Sequence, residues 1–93
     1  MSLRTKDPDS VLDWKVDWAG YLQEGETITD SQWLVGPEED GGISLGKKDH
    51  SETAAKAFLS GGIAGHVYRV TNRITTSFDR TDERSLMVRV VEL

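Results

Sequence analysis

The side chains able to move a proton near neutral pH are two histidines, His50 and His66. His50 lies in the charged stretch Gly46-Lys47-Lys48-Asp49-His50, and His66 opens an alternating segment. Their spacing suits no metal site, so both read as surface residues. Asp7, Asp9, Asp13 and Asp17 resemble a calcium loop, but Val11 takes the third ligand position and no loop glycine follows. Glu38-Glu39-Asp40 reads as a solvated acidic loop, at most a weak divalent site. Gly61-Gly62-Ile63-Ala64-Gly65 fails the dinucleotide fingerprint, and no nucleophile elbow, phosphate loop or glycosylation sequon is present. The absence of cysteine removes disulfides, thiolate chemistry and sulfur-bound zinc. Carboxylates are too common, at sixteen, for an acid–base pair to stand out. The expectation is therefore no catalytic residue, no metal, no cofactor and no enzyme.

Charge narrows the partners. Eleven basic against sixteen acidic residues give −5, which argues against a nucleic-acid surface, where Lys and Arg must neutralise phosphates. Apolar runs of only a few residues cannot cross a bilayer as helices, so no membrane role is expected. The charge is split along the chain. Residues 1–52 hold twelve acidic and five basic side chains, whereas residues 53–93 hold four acidic and six basic, five of the latter Arg69, Arg73, Arg80, Arg84 and Arg89. Either the two halves pair within one domain, or the acidic flank meets the arginine flank of a neighbour.

The elements that must carry these residues are strands. In His66-Val67-Tyr68-Arg69-Val70-Thr71-Asn72-Arg73-Ile74, one parity holds Tyr68, Val70, Asn72 and Ile74, and the other Arg69, Thr71, Arg73 and Thr75. Asn72 is the polar exception on the inner face and needs partners if buried. From Arg84 to Leu93, Leu86, Val88 and Val90 alternate with Met87, Arg89 and Val91. The polar stretch Ser77–Glu83 joins these two strands as an antiparallel hairpin. Upstream, Trp14–Trp18, Thr27–Val35 and Ile43–Leu45 read as strands, Gly36–Gly42 as a loop and Gly46–His50 as a turn. Residues 51–59 have helical propensity, yet two turns of helix between strands would be unsupported. A strand ending at Ser60-Gly61-Gly62 is the better reading.

Six or seven short strands separated by turns predict an all-β, antiparallel sandwich. At 93 residues the chain is one domain, placed at residues 6–93. Residues 1–5 are expected to be disordered, with Met1-Ser2-Leu3 an expression remnant and no signal-peptide core. Tyr68, after a glycine-rich turn, sits where a tyrosine corner would. Trp33 is expected in the core, while Trp14 and Trp18 stay open between core and surface. The outer parity supplies the candidate interaction face: Arg69, Thr71, Arg73, Met87 and Arg89, residue types enriched in interfaces or suited to cross-strand pairs. Trp33, Tyr68, Asn72, Asp82 and Arg84 are assigned structural roles, the last two in an ion-pair cluster at the hairpin.

Several strings go beyond a generic sandwich. They are Lys6-Asp7-Pro8, Leu12-Asp13-Trp14, Asp17-Trp18, Leu22, Thr27-Ile28, Ser31, Trp33, Leu59-Ser60-Gly61-Gly62, Ala64-Gly65, Tyr68 to Ser77, and Arg80 to Ser85. The glycine turn before Tyr68 looks like fibronectin type III, and together the strings resemble a family of small phage and prophage structural proteins with an immunoglobulin-like sandwich, the fibre–tail adaptors. Phe78-Asp79 is bulkier, and Ala54-Ala55-Lys56-Ala57 poorer in β-branched residues, than that family's pattern. The resemblance implies a non-catalytic virion component that joins tail or neck proteins to fibres. It also implies a ring of copies and a cytoplasmic stage before assembly. Two alternatives remain: a carbohydrate-binding or adhesion module, which requires Trp14, Trp18 and Tyr21 to be exposed, and an assembly chaperone.

Overall fold

The computed structural model describes residues 2–92. Seven strands follow in chain order: β1 (Ser2–Lys6), β2 (Leu12–Asp17), β3 (Ile28–Gly36), β4 (Ile43–His50), β5 (Ala54–Gly61), β6 (Val67–Thr76) and β7 (Thr81–Val90). They form two sheets, ordered β1-β7-β6-β3 and β2-β5-β4. The chain is an all-β sandwich whose layers, one built on β2-β5-β4 and the other on β3-β6-β7, follow the immunoglobulin arrangement. Every pairing is antiparallel except that of β1 with β7, which is parallel.

The alternation of β6 and β7 builds the core. Tyr68, Val70, Asn72 and Ile74 are buried, and so are Leu86, Val88 and Val90. Val16, Ala55, Ala57 and Leu59 meet them from the smaller sheet. The alanines of β5 have a packing reason. Ala57 lies opposite Trp14 in the register, so a small side chain there leaves room for an indole. Trp33 is in the core as expected, its ring edge-on to Trp14 with centroids 5.5 Å apart. Gly62 is fixed by close approach: at φ 107° a Cβ would fall 2.6 Å from Val90 Cγ2.

Four expectations about elements change. Ser2–Lys6 are ordered as β1, because they supply a neighbour for the C-terminal half of β7; Met1 lies outside the described residues. Gly46–His50 is no turn but the second half of β4, reached after a register shift between Leu45 and Lys48 that accommodates Gly46 and Lys47. β7 starts at Thr81, not Arg84. The hairpin is tighter than read because Thr76 N–H donates to Arg80 O at 2.8 Å and Asp79 takes the left-handed conformation at φ 60°, which Asp tolerates. Finally, β7 ends at Val90 rather than running on toward Leu93, which lies outside the described residues.

Candidate functional site

The sandwich ends and its broad outer face use polar residues in different ways. At one end the β2–β3 connection docks onto the β6–β7 hairpin. Glu26 is buried there, its carboxylate accepting from Arg80 Nε at 2.8 Å, from Arg80 Nη2 and from the Thr76 hydroxyl. The Arg80 hydrogen bonds, with further help from Gln23 N–H and Thr76, hold the Glu26 carboxyl down at about 2 against the pull of burial. The Arg80 guanidinium also lies 4.3 Å from the centre of the Tyr21 ring, and Arg84 stands the same distance over Trp18. Arg84 Nη1 donates to Asp17 O at 2.9 Å. Trp18 is fully buried and its Nε1 donates to Asn72 Oδ1 at 2.9 Å, while Asn72 Nδ2 donates to Ser31 Oγ and Gln32 O. The inner-face amide thus finds the partners that its burial demands.

The hairpin cluster differs from the expected one. Among the described residues neither Asp82 nor Arg84 forms an ion pair. Arg84 turns inward onto Trp18, and Asp82 accepts from Glu83 N–H at 2.8 Å. The ion pair at this end is Glu26–Arg80, fifty-four positions apart, and the cross-strand one is Arg73–Glu83 at 3.2 Å. Nothing in Gln23-Glu24-Gly25-Glu26 distinguishes Glu26 from a solvated loop carboxylate, so sequence reasoning missed it.

The opposite end is tied by Tyr68 and Lys6. The Tyr68 hydroxyl accepts from Ile63 N–H at 3.1 Å, the backward bond of a tyrosine corner, and donates to Glu39 Oε1 at 2.5 Å. His66 Nδ1 lies 2.7 Å from the same oxygen, so His66 is a surface residue with a partner. Hydrogen bonds from Tyr68 and then His66 lower the Glu39 pKa, and burial is the main cause raising that of Tyr68. Glu39 is therefore engaged, and no group of ligating side chains among the described residues could hold a metal. Lys6 was not picked out as a structural residue. It is 1% exposed, and its Nζ donates to Gly61 O at 2.7 Å and Asp7 O at 2.9 Å, with burial pulling its pKa down. The Glu26–Arg80 ion pair and the Glu39–His66 hydrogen bond both join the acidic to the basic half within the domain.

The outer face of the four-stranded sheet is arranged otherwise. The register aligns Leu3, Met87, Arg69 and Gly36 across the four strands, with Ser85, Thr71 and Leu34 in the next row and Glu83, Arg73 and Gln32 beyond. Leu3, Leu34 and Val67 are exposed here by 64%, 50% and 43%, three of the five most exposed large apolar residues among those described. Arg69 and Arg89 are exposed and make no hydrogen bond or ion pair with any described residue. Met87 is half-buried between them. Thr71, expected on the surface, is buried between Leu34 and Ser85, its hydroxyl 2.8 Å from Ser85 Oγ. The structure thus gathers Arg69, Arg73, Met87 and Arg89 with exposed leucine and valine on one face. It offers no catalytic grouping there.

A family model described as Podophage GP4 fiber-tail adaptor protein gp77 matches residues 6–89. The chain belongs to this family. No curated protein matches the chain. The adaptor's role is that of a structural phage tail component, in contact with other tail proteins and located in the virion. The matched span takes in Lys6, both polar clusters and all of the arginine face except Leu3 and Thr5. Sugar binding by Trp14, Trp18 and Tyr21 is at odds with the packing: Trp18 is fully buried, and Trp14 and Tyr21 are half-buried against the core.

Proposed function

We propose that this chain is a non-catalytic adaptor that binds a fibre or tail protein through the outer face of its β1-β7-β6-β3 sheet, with copies arranged head to tail in a ring. The observation that supports this most is the arginine-and-apolar face itself. Leu3, Leu34 and Val67 are left exposed beside Arg69 and Arg89, whose side chains have no partner among the described residues. A surface of that composition resembles an interface core more than a solvated sheet, where Lys and Glu would prevail. A protomer of net charge −5 with a basic face suits heterologous contact, since the acidic surface of one copy can face the arginines of the next. Before assembly the chain resides in the cytoplasm of the host. Mass spectrometry of purified particles after prophage induction tests the reading. The adaptor should be present at a small fixed multiple of other tail proteins; particles complete without it would favour an assembly chaperone.

A further inference from the structure

The geometry points to a strand-addition site on the free half of β7, taking an extended segment of a partner polypeptide in which apolar and acidic residues alternate. This goes beyond the sheet-face contact and does not require it.

The hydrogen-bond alternation of the β6–β7 hairpin is fixed at both ends. Thr76 N–H donates to Arg80 O at 2.8 Å, and Val90 N–H donates to His66 O at 3.0 Å. With the register between them, Asp82, Arg84, Leu86 and Val88 must direct their backbone groups to β6. Glu83, Ser85, Met87 and Arg89 direct theirs to the opposite edge. Val91 N–H shows the sequel, donating to Lys6 O of β1 at 2.8 Å. Among the described residues β1 reaches only as far as Leu86, its partner at Ser2. Beyond that point no strand among the described residues neighbours the edge around Glu83 and Ser85.

A groove runs beside this edge. It has a volume of about 850 Å³ and lies between β7 and the free edge of β2, with Trp14, Val16, Lys15, Arg69, Arg84 and Ser85 on its walls. Charged side chains usually guard such edges. Here the two nearest, both on the groove wall, are held by partners of their own: Glu83 is paired with Arg73, and Arg84 stacks on Trp18. Lys15, Arg69 and Arg84 outnumber the single carboxylate of Glu83, in a chain that is acidic overall. Trp14 and Val16 offer an apolar wall. An added strand gains main-chain hydrogen bonds, and its alternate side chains select for apolar and acidic character. The Arg69 side chain belongs both to the groove and to the sheet face, so one partner could run from one onto the other.

The test titrates the isotope-labelled full chain with a short synthetic peptide alternating valine and glutamate, and with its lysine-for-glutamate counterpart, at low salt. The acidic peptide should shift the amides of Glu83 to Ser85 and the indole N–H of Trp14, and should slow exchange of the Ser85 N–H. The lysine peptide should bind about tenfold more weakly or worse, since it sets like charges against the groove. Ser85→Pro removes the edge-facing N–H together with the hydroxyl that meets Thr71, and Ser85→Ala removes that hydroxyl alone, so the proline variant should lose binding and the alanine variant should retain it. If Ser85→Pro does not fold, Lys15→Glu carries the test by shifting preference toward the lysine peptide. Equal binding of both peptides, shifts confined to β3 or β4, or unaltered binding by Ser85→Pro would overturn the proposal. So would self-association of the free chain through this edge, which would make a second copy the occupant. Any of these failures leaves the sheet-face reading intact, because that rests on Arg73 and Arg89 and is tested in particles.

Discussion

At the loop end of the sandwich Arg80 and Arg84 are turned into the fold, while on the outer face of the four-stranded sheet Arg69, Arg73 and Arg89 are turned out of it. The inward pair each cover an aromatic ring and donate to a backbone carbonyl, and Arg80 also holds a buried carboxylate. Of the outward three, only Arg73 has a partner among the described residues, the exposed Glu83. An exposed pair of that kind contributes little to stability, about 0–1 kcal/mol. The planar, multiply donating guanidinium serves both regions. What separates them is their partners: at the loop end each guanidinium is held by a ring and a carbonyl within the domain, and on the face Arg69 and Arg89 have none among the described residues.

That contrast is sharpest at Glu26. Glu26→Ala removes the carboxylate from beneath Arg80 and Thr76, and should produce the largest loss of the series, roughly 10 °C or more in Tm by circular dichroism. The same group sets an acid limit. Its folded pKa of about 2 lies below the ordinary 4.5, so its contribution is complete above pH 4.5 and is lost as pH falls toward about 2. Melting temperatures measured across that window should fall in the wild type, and Glu26→Gln should flatten part of the fall. Asn72→Ala ranks next. It strands the buried Trp18 indole N–H and opens a small void, at a cost of about 2–4 kcal/mol in a urea titration. Arg84→Ala gives up one stacking contact and one hydrogen bond near the surface, about 1 kcal/mol in the same assay. Arg73→Glu with Arg89→Glu should move Tm by no more than about 3 °C. A large loss from the face substitutions, or a small one from Glu26→Ala, would collapse the distinction between the two regions.

Much of this was legible in the residues. The period-two pattern of β6 and β7 fixed which side chains are inside, and the glycine turn before Tyr68 marked the corner. Asn72 showed itself as a polar residue in an apolar row, a signal that a buried network must exist, though its partners Trp18 and Ser31 lie far away in sequence. The second half of β4 was not legible, because Lys47, Lys48, Asp49 and His50 are all exposed on an edge strand and leave no apolar alternation. β1 is hard to read because its one neighbour among the described residues, β7, is at the far end of the chain and its inner positions are Arg4 and Lys6. Those two side chains are satisfied by carbonyls of Asp13, Asp7 and Gly61 rather than by a carboxylate. The pairing of Arg80 with Glu26 was hidden for a similar reason: composition counts charges but does not say which are buried.

The proposed division of labour is that the outward arginines serve assembly and the inward ones serve folding. It is tested most directly by complementing a phage that lacks this chain with the Arg73→Glu/Arg89→Glu variant and measuring the adaptor in purified particles by mass spectrometry. The prediction is a variant that melts within about 3 °C of the wild type and is depleted from particles. Incorporation of the folded variant at the wild-type level would contradict it.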